Sequence, residues 1–306
     1  LRWHATSYAI ARLRDNPACA DEENETIGDW SRPGLEPKVS FRSGASASRG
    51  GARPRVAILR EQGVNGQREM AMAFHRAGFT AVDVHMSDLE AGRHRLDAFQ
   101  GLAVCGGFSF GDVLGAGRGW ARSILFNSFL ADQFQAFFED RKRFALGVCN
   151  GCQVLSAMAS IIPGSAHWPS FSANRSRQFE ARLSLVEIVD SPSILLAGMA
   201  GARLPVATAH GEGRAQFADP AAIEQAPVTL RYIDPWGAAA ARYPDNPNGS
   251  PQGITGLCNA DGRITIMMPH PERLLRAINY SWAPAEWGDR SPWMRMFENA
   301  RAWVEQ

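Results

Sequence analysis

The chain has 306 residues, 45% of them hydrophobic, which is enough to bury the core of one large domain or two small ones. The 32 lysine and arginine residues nearly balance the 31 acidic residues, so a net charge of +1 gives no reason to expect nucleic acid or a membrane surface as a partner. No apolar run is long enough to span a membrane, and the arginine-rich N-terminus has no signal-peptide core, so we expect a cytoplasmic protein.

Residues 1–54 differ in composition from the rest of the chain. The first seventeen residues favour a short helix that ends near Pro17, and the acidic stretch 16–30 shows no clear helical stripe. Residues 32–54 are rich in Gly, Ser, Pro and Arg and predict a linker. We place a domain boundary near Pro54. Because the chain begins with Leu1, we expect a fragment of a longer protein.

Strands and helices alternate from Arg55 onward. Strands are predicted at 55–60, 80–86, 101–107 and 143–148, and helices at 64–79, 120–140 and 151–160. This alternation predicts an α/β fold with three layers, a parallel sheet covered by helices on both faces. The second half is less regular, and several of its predicted strands favour antiparallel pairing at the sheet edge. A closing helix is predicted from Ser291, with Pro292 at its first position.

Cys149 lies between a predicted strand and a predicted helix, within Gly147-Val148-Cys149-Asn150-Gly151. This G-x-nucleophile-x-G spacing is typical of a nucleophile elbow, with cysteine in place of serine. Such a turn holds the side chain above the carboxyl end of a strand, where open α/β sheets bind ligands. The positive end of the following helix favours the reactive thiolate, and the backbone N–H of Asn150 would face a developing oxyanion.

Cys152 leaves other interpretations of this segment open. Cys149 and Cys152 have the spacing of a C-x-x-C redox pair, but such a pair does not need the flanking glycines. A zinc site would need two more ligands, and Cys105 and Cys258 are isolated in the sequence. We favour a nucleophile at Cys149 and a buried, unreactive thiol at Cys152. The odd, sparse set of five cysteines favours a reducing compartment over a disulfide scaffold.

His270 is the best candidate for the base that a cysteine nucleophile needs. It follows a predicted apolar strand and lies between Pro269 and Pro271. Glu272 is two residues further on, and in an extended segment it would project to the same side and orient the imidazole. His210, which lies beside glycines, is a candidate to line a pocket. The other histidines favour structural or solvated roles.

A glycine-rich loop, Cys105 to Gly117, follows the third predicted strand. Its glycines allow the backbone to approach a ligand, and the Gly107–Phe108 region would supply a second oxyanion donor. The loop lacks the lysine of a phosphate-binding P-loop and fits no dinucleotide motif. An ordinary turn remains the alternative.

Several stretches together resemble a known family. "GVCNGCQ", "PHPER", "CGGFSFGD", "NRSRQFEAR" and "HGEGR" are similar to the glutaminase domain of phosphoribosylformylglycinamidine synthase, a class I glutamine amidotransferase, and most of all to its large, single-chain form. The resemblance runs from about Arg55 to the C-terminus, and residues 1–52 resemble the end of the synthase region and its linker. It implies a flavodoxin-like, mostly parallel sheet with antiparallel edge strands.

The resemblance also implies an activity. Cys149 would attack the side-chain amide of L-glutamine, His270 would move protons and Glu272 would orient it. Ammonia would pass to the synthase region of the same parent chain, which converts formylglycinamide ribonucleotide to the amidine in purine synthesis. ATP and magnesium would bind in that region, with no cofactor and no metal in this fragment. By analogy, Gln153 and the stretch from Asn174 to Phe179 would frame the glutamine.

One position departs from the family. Arg118 stands where an acidic residue is expected, which affects a loop or the contact with the synthase region. Trp282 and Trp287 are candidates for that contact, or else core residues. Three rival hypotheses remain: a regulatory module without turnover, a related cysteine peptidase or other amidotransferase, and a thiol redox protein.

Overall fold

The computed structural model describes residues 2–41 and 52–306, so residues 42–51 of the predicted linker lie outside the described residues. Nine strands form one sheet: β1 (Arg55–Arg60), β2 (Thr80–His85), β3 (Gly101–Val104), β4 (Phe144–Val148), β6 (Glu180–Ile188), β7 (Arg203–His210), β9 (Val228–Tyr232), β10 (Ile254–Cys258) and β11 (Ile264–Met267). Their order across the sheet is β2-β1-β3-β4-β11-β10-β9-β6-β7. Two short strands, β5 (Ser170–Ser172) and β8 (Arg214–Gln216), pair separately.

The first five strands of that order, β2 to β11, run parallel. Every residue of β3 and β4 is buried, because helices cover both faces of this part of the sheet. The other four strands pair antiparallel and extend the sheet at one side. The predicted α/β architecture is therefore confirmed, including the antiparallel pairing of several strands from the second half of the chain.

Helices pack on both faces of the sheet. They are α3 (Gln67–Arg76), α4 (Met86–Glu90), α5 (Arg118–Leu125), α6 (Ser128–Glu139), α7 (Asn150–Ala157) and α9 (Met294–Val304). A further short helix, α8 (Pro220–Gln225), has no buried residue. On one face Phe74 of α3 meets Phe297 of α9 edge-on, with ring centroids 5.1 Å apart, and Phe144 lies 5.9 Å away. On the other face α5 and α6 pack against each other, and α7 packs on β3, β4 and β11. Aromatic contacts thus join the sheet to its outer layer.

The single helix predicted over 120–140 is wrong, since two helices occupy that stretch. Asn127 separates α5 from α6, and its side-chain oxygen accepts a hydrogen bond from the Leu130 N–H. Asparagine is a strong N-cap, so it begins a new helix rather than continuing the old one. The closing helix also differs, because α9 begins at Met294 instead of Ser291.

Residues 2–41 contain two helices, α1 (Arg2–Arg14) and α2 (Pro17–Thr26). The second occupies the acidic stretch for which no helix was predicted. Asn16 caps it by accepting from the Ala18 N–H, and Pro17 takes the first helical position. The domain boundary near Pro54 stays a prediction. Within the described ranges, no helix has the length and apolar character needed to cross a membrane.

Candidate active site

Cys149 stands at the junction between β4 and α7, at the carboxyl end of the parallel strands. Its backbone has φ 53° and ψ −109°, a conformation that costs a non-glycine residue about 1–3 kcal/mol. Its amide donates to the Met267 carbonyl at 2.9 Å, which ties the turn to the neighbouring strand β11. The side chain is 7% exposed. The predicted elbow is therefore present as a strained strand-to-helix turn.

The two glycines that frame the elbow are required by close backbone approach. A Cβ on Gly147 would lie 2.6 Å from the Gly151 carbonyl oxygen, and a Cβ on Gly151 would lie 1.9 Å from the Val104 carbonyl oxygen. Neither space admits a methyl group, so any larger residue would push α7 away from β3 and β4. The turn geometry thus depends on glycine at both positions.

His270 reaches the same place from the adjacent strand. It follows β11, which pairs with β4 in parallel, and its amide donates to the Ala207 carbonyl of β7 at 2.8 Å. A Cβ on Gly106 would lie 2.7 Å from His270 Cε1 and 3.2 Å from Cys149 Cβ. The side chains of Cys149 and His270 therefore both lie against Gly106, which has no side chain of its own.

Glu272 completes a buried pair with His270. Its Oε1 lies 2.7 Å from His270 Nδ1, and both residues are only 1% exposed. The opposite ring nitrogen, Nε2, is buried and has no hydrogen-bond partner in the part of the chain that the structure describes. Glu272 thus orients the His270 imidazole at Nδ1 and leaves Nε2 free to exchange a proton with a substrate, as a general acid or base requires.

The two pocket histidines differ in protonation. Burial alone would lower the pKa of His270, but the negative charges of Glu272 and then Cys149 outweigh it and raise this pKa to about 10. Burial, reinforced by the positive charge of His270, lowers the pKa of His210 to about 3. Near neutral pH, His270 is therefore a cation and His210 is neutral.

A pocket of about 380 Å³ opens over Cys149 and His270, a size within the usual range for small-molecule sites. Eight residues singled out from the sequence line it: Gly107, Phe108, Cys149, Asn150, Gln153, Phe179, His210 and His270. Glu272 lies behind His270. The structure thus brings most of the predicted site together, while the roles of these residues stay predictions.

The two backbone groups predicted to form an oxyanion site differ in availability. The Phe108 N–H donates to the Gly63 carbonyl at 3.2 Å and is therefore engaged. The Gly107 N–H has no acceptor within residues 2–41 and 52–306. Asn150 opens α7, where first-turn amides have no acceptor inside the helix. Gly107 and Asn150 are the usable donors, and Phe108 contributes its ring to the pocket instead.

Asn174 is the predicted substrate residue that the structure places outside the pocket lining. Its side chain donates to the carbonyls of Gln178 and His210, and its oxygen accepts from the Gly213 N–H. The same oxygen lies 3.1 Å from His210 Nδ1. Because all its polar groups are engaged by the chain, Asn174 supports the pocket wall and does not contact a ligand.

Three charged residues of the pocket were not predicted from the sequence. Asp112, Glu212 and Arg273 all line it. Arg273 has a buried Nε without a hydrogen-bond partner among the described residues. Asp112 accepts from the Asn150 side chain at 3.1 Å, which holds the glycine-rich loop on α7. Each belongs to a stretch already singled out, "FSFGD", "HGEGR" or "PHPER", which was the available signal.

The cysteines form no disulfide, and all five are free and buried. Burial raises the pKa of the Cys152 thiol well above its usual range, reinforced by the negative charge of Cys149. Cys152 is therefore held as a thiol, as the unreactive interpretation requires. In the described ranges, no three histidine, cysteine or carboxylate side chains come together as they would around a metal ion.

The sequence profile of the CobB/CobQ-like glutamine amidotransferase domain matches residues 53–304. That is more than half of the chain and includes the elbow, the His270–Glu272 pair and the pocket. The chain belongs to this family. The glutamine amidotransferase activity implied by the elbow and the P-H-P-E stretch thereby has independent support.

Solved structures share the fold of this amidotransferase domain. PurLQS from Thermotoga maritima matches with a TM-score of 0.61 and 22% identity, over 83% of this chain and 98% of that one. A Thermoplasma acidophilum protein described as a GMP synthase subunit matches with a TM-score of 0.50 and 12% identity, over 84% of this chain and 96% of that one. At these identities the likeness establishes the fold, in agreement with the observed sheet.

The residues suggested for a partner contact fall into two groups in the amidotransferase domain. Trp282 is 68% exposed, and Arg118 opens α5 at the surface. Trp287 is only 7% exposed and packs edge-on against Tyr280, with ring centroids 5.3 Å apart. A contact role for Trp287 is therefore wrong, since it is a core residue.

Proposed function

We propose that this domain hydrolyses L-glutamine to glutamate and ammonia through a γ-glutamyl thioester on Cys149. The observation that carries the proposal is the meeting of the strained Cys149 with the buried His270–Glu272 pair in one pocket. A nucleophile, a proton carrier and a residue that orients the carrier are the minimum for covalent acyl transfer.

The first half of the reaction forms the thioester. The Cys149 thiolate attacks the side-chain amide carbon of glutamine, and the amide oxygen becomes an oxyanion. The N–H groups of Gly107 and Asn150 are the donors that would stabilise this charge. His270, a cation near neutral pH, gives its proton to the amide nitrogen, the C–N bond breaks, and ammonia leaves.

The second half releases glutamate. A water molecule attacks the thioester carbon while the now neutral His270 accepts a proton from it. The C–S bond breaks, and glutamate and the Cys149 thiolate are formed with His270 again a cation. Glu272 accepts a hydrogen bond from the Nδ1–H of His270 and holds the ring in place during both halves.

The charges of the pocket suit a free amino acid. Arg273 has a guanidinium nitrogen without a partner among the described residues, which suits a carboxylate, while Glu212 offers negative charge for an ammonium group. A zwitterion with a neutral side-chain amide would satisfy both signs. This distribution supports free glutamine as the substrate rather than a peptide, whose ends would be uncharged amides.

We further propose that the ammonia serves a synthase region that converts formylglycinamide ribonucleotide to the amidine. The support is the similarity of "NRSRQFEAR", "HGEGR" and "PHPER" to the glutaminase domain of phosphoribosylformylglycinamidine synthase. Because residues 1–52 resemble the end of the synthase region, we propose that this region belongs to the same parent chain. ATP and magnesium would bind there.

Alkylation by 6-diazo-5-oxonorleucine, a glutamine-like electrophile, tests the proposal. Intact mass and peptide mapping should find one adduct, on Cys149, that excess glutamine suppresses. Cys149→Ala should abolish the adduct and glutamine hydrolysis. Cys152→Ala is the matched control and should keep most of both, because its thiol is buried and protonated.

Two results would contradict the mechanism. Hydrolysis that persists in Cys149→Ala would exclude a thioester on that residue. An adduct that depends equally on Cys152 would favour a redox pair. Repeating the labelling on the parent chain would show whether the pocket needs the synthase region to bind its ligand.

A further inference from the structure

The N-terminal segment contacts the amidotransferase domain beside its pocket. We call residues 16–25, the cap and most of α2, the latch. Its buried residues are Cys19 and Ala20, so part of the latch lies against the domain as core. Three glutamates of the latch face three arginines of the domain: Glu22–Arg175 at 2.8 Å, Glu23–Arg182 at 3.3 Å and Glu25–Arg242 at 2.5 Å.

These ion pairs differ in environment. Glu22 and Arg175 form two parallel hydrogen bonds, of 2.8 and 2.9 Å, and their side chains are only 16% and 30% exposed. Glu25 and Arg242 are each 61% exposed. A bidentate, partly buried pair holds its geometry far better than a solvated one. Among the pairs of the latch, Glu22–Arg175 is therefore the strongest attachment.

The latch is also hydrogen-bonded to the backbone of the segment that follows Asn174. The Asn16 side chain donates to the Arg175 carbonyl at 2.8 Å, and the Asn16 N–H donates to the Ser176 carbonyl at 3.2 Å. Together with the Glu22 pair, these bonds fix both the backbone and the side chain at position 175. The latch thus helps to hold residues 174–176, together with the bond from the Arg175 N–H to the Asn248 carbonyl at 3.0 Å.

On its other side the same segment is bonded to the pocket wall. The Asn174 N–H donates to the Gly211 carbonyl at 2.9 Å, and its side chain binds the His210 carbonyl and the Gly213 N–H. His210, Gly211 and Glu212 line the pocket. The arginine of the Glu22–Arg175 pair is therefore the immediate chain neighbour of Asn174, the residue that organises the wall.

We propose that the latch sets the affinity of the pocket for glutamine, with Glu22 and Arg175 as positioning residues that act through Asn174. The inference rests on the proposed glutaminase function. The wall carries no part of the Cys149–His270–Glu272 group, so the latch governs capture of the ligand and not the reaction with the thiol. A change upstream that displaces the latch would lower the affinity of the pocket.

The test compares full-length variants in their reaction with 6-diazo-5-oxonorleucine. Glu22→Gln and Arg175→Gln should each raise the half-saturating concentration of the reagent about fivefold or more, the lower end of typical coupling between sites. The maximal rate of alkylation at Cys149 should stay within about twofold of the rate in the unsubstituted protein. The half-saturating concentration of the double variant should not exceed the larger of the two single-variant values. Glu25→Gln, in the same helix, is the matched control and should change nothing.

Amide exchange gives a second readout without turnover. The Gly213 N–H, bonded to Asn174, should exchange faster in Glu22→Gln than in the parent, and at the parental rate in Glu25→Gln. If Glu22→Gln matches Glu25→Gln in labelling, or lowers only the maximal rate, this inference is overturned alone. If Cys149 is labelled neither in the unsubstituted protein nor in the parent chain with its synthase region, the proposed function fails and this inference fails with it.

Discussion

Replacing Glu272 with glutamine should flatten the pH dependence of stability near neutral pH when both proteins also carry Cys149→Ala, which removes the thiol that the proposed thiolate–imidazolium pair ionises. The pKa of His270 is raised to about 10 in the folded protein, whereas a histidine of an unfolded chain titrates near ~6.5. Between these values the folded state holds a proton that the unfolded state has released. Stability from this proton is fully present below the lower value, and it is lost at about 1.4 kcal/mol per pH unit as pH rises.

Glu272→Gln removes the carboxylate charge but keeps the size and shape of the side chain. Glutamine retains an oxygen to accept from His270 Nδ1, 2.7 Å away, but burial then opposes the cation with less compensation. The pKa of His270 should fall, and the ring should be neutral in both states. The slope of unfolding free energy against pH should therefore approach zero between about pH 7 and 8.

Between about pH 7 and 8, the other buried groups with shifted pKa values contribute little to the slope of stability against pH. His210 has a folded pKa of about 3, so its effect is a loss of stability as pH falls below about 6.5. Burial raises the pKa of Cys19 to about 11, and such thiols lower stability only as pH rises above ~8.5, where an unfolded cysteine ionises. Neither group titrates strongly in between.

Urea unfolding followed by tryptophan fluorescence at several pH values in that window measures the slope. Glu298→Gln is the control, because Glu298 is a buried carboxylate that pairs with Arg290 and not with His270. It should keep the parental slope. If Glu272→Gln keeps the slope of the Cys149→Ala protein, His270 does not carry an excess proton in the folded state, and the imidazolium assigned to it near neutral pH is refuted.

Three further substitutions test the local structure. Gly151→Ala places a methyl 1.9 Å from the Val104 carbonyl oxygen and should lower the free energy of unfolding by about 1–3 kcal/mol in urea titrations, whereas Gly34→Ala, in open space, should not. Asn127→Ala should cost about 1 kcal/mol through the lost helix cap, and Asn127→Asp should recover most of it. The free energy of unfolding of Cys149→Gly should exceed that of Cys149→Ala by about 1 kcal/mol, because glycine relieves the backbone strain. Equal free energies of unfolding would show that no strain is present.

Features with a local cause were predicted well from the sequence. The central strands β3 and β4 are buried apolar runs, and the elbow is a spacing of residues only five positions long. Where prediction failed, a short-range signal was overlooked. Asn127 and Asn16 are both N-caps, and each begins a helix that the hydrophobic pattern alone did not locate.

Roles within the site were harder to predict, because they depend on partners distant in sequence. Phe108 and Asn174 lie in stretches that resemble known glutaminase segments, yet Gly63 engages the N–H of the first, and the His210 region engages the side chain of the second. A sequence pattern gives the position of a polar group and not whether that group is already bonded. Only the folded chain settles which donors remain for a ligand.

The same distinction explains why the latch was not expected. The acidic stretch has weak amphipathicity, so its pattern gave no reason to predict a helix. Its stability as a helix comes instead from tertiary contacts, above all the partly buried Glu22–Arg175 pair and the buried Cys19. Because the latch folds mainly through its contacts with residues 174–176, its stability depends on the position of those residues. By reciprocity, the position of residues 174–176 depends on the latch. Ligand binding in the pocket should therefore tighten the latch as much as the latch tightens the pocket.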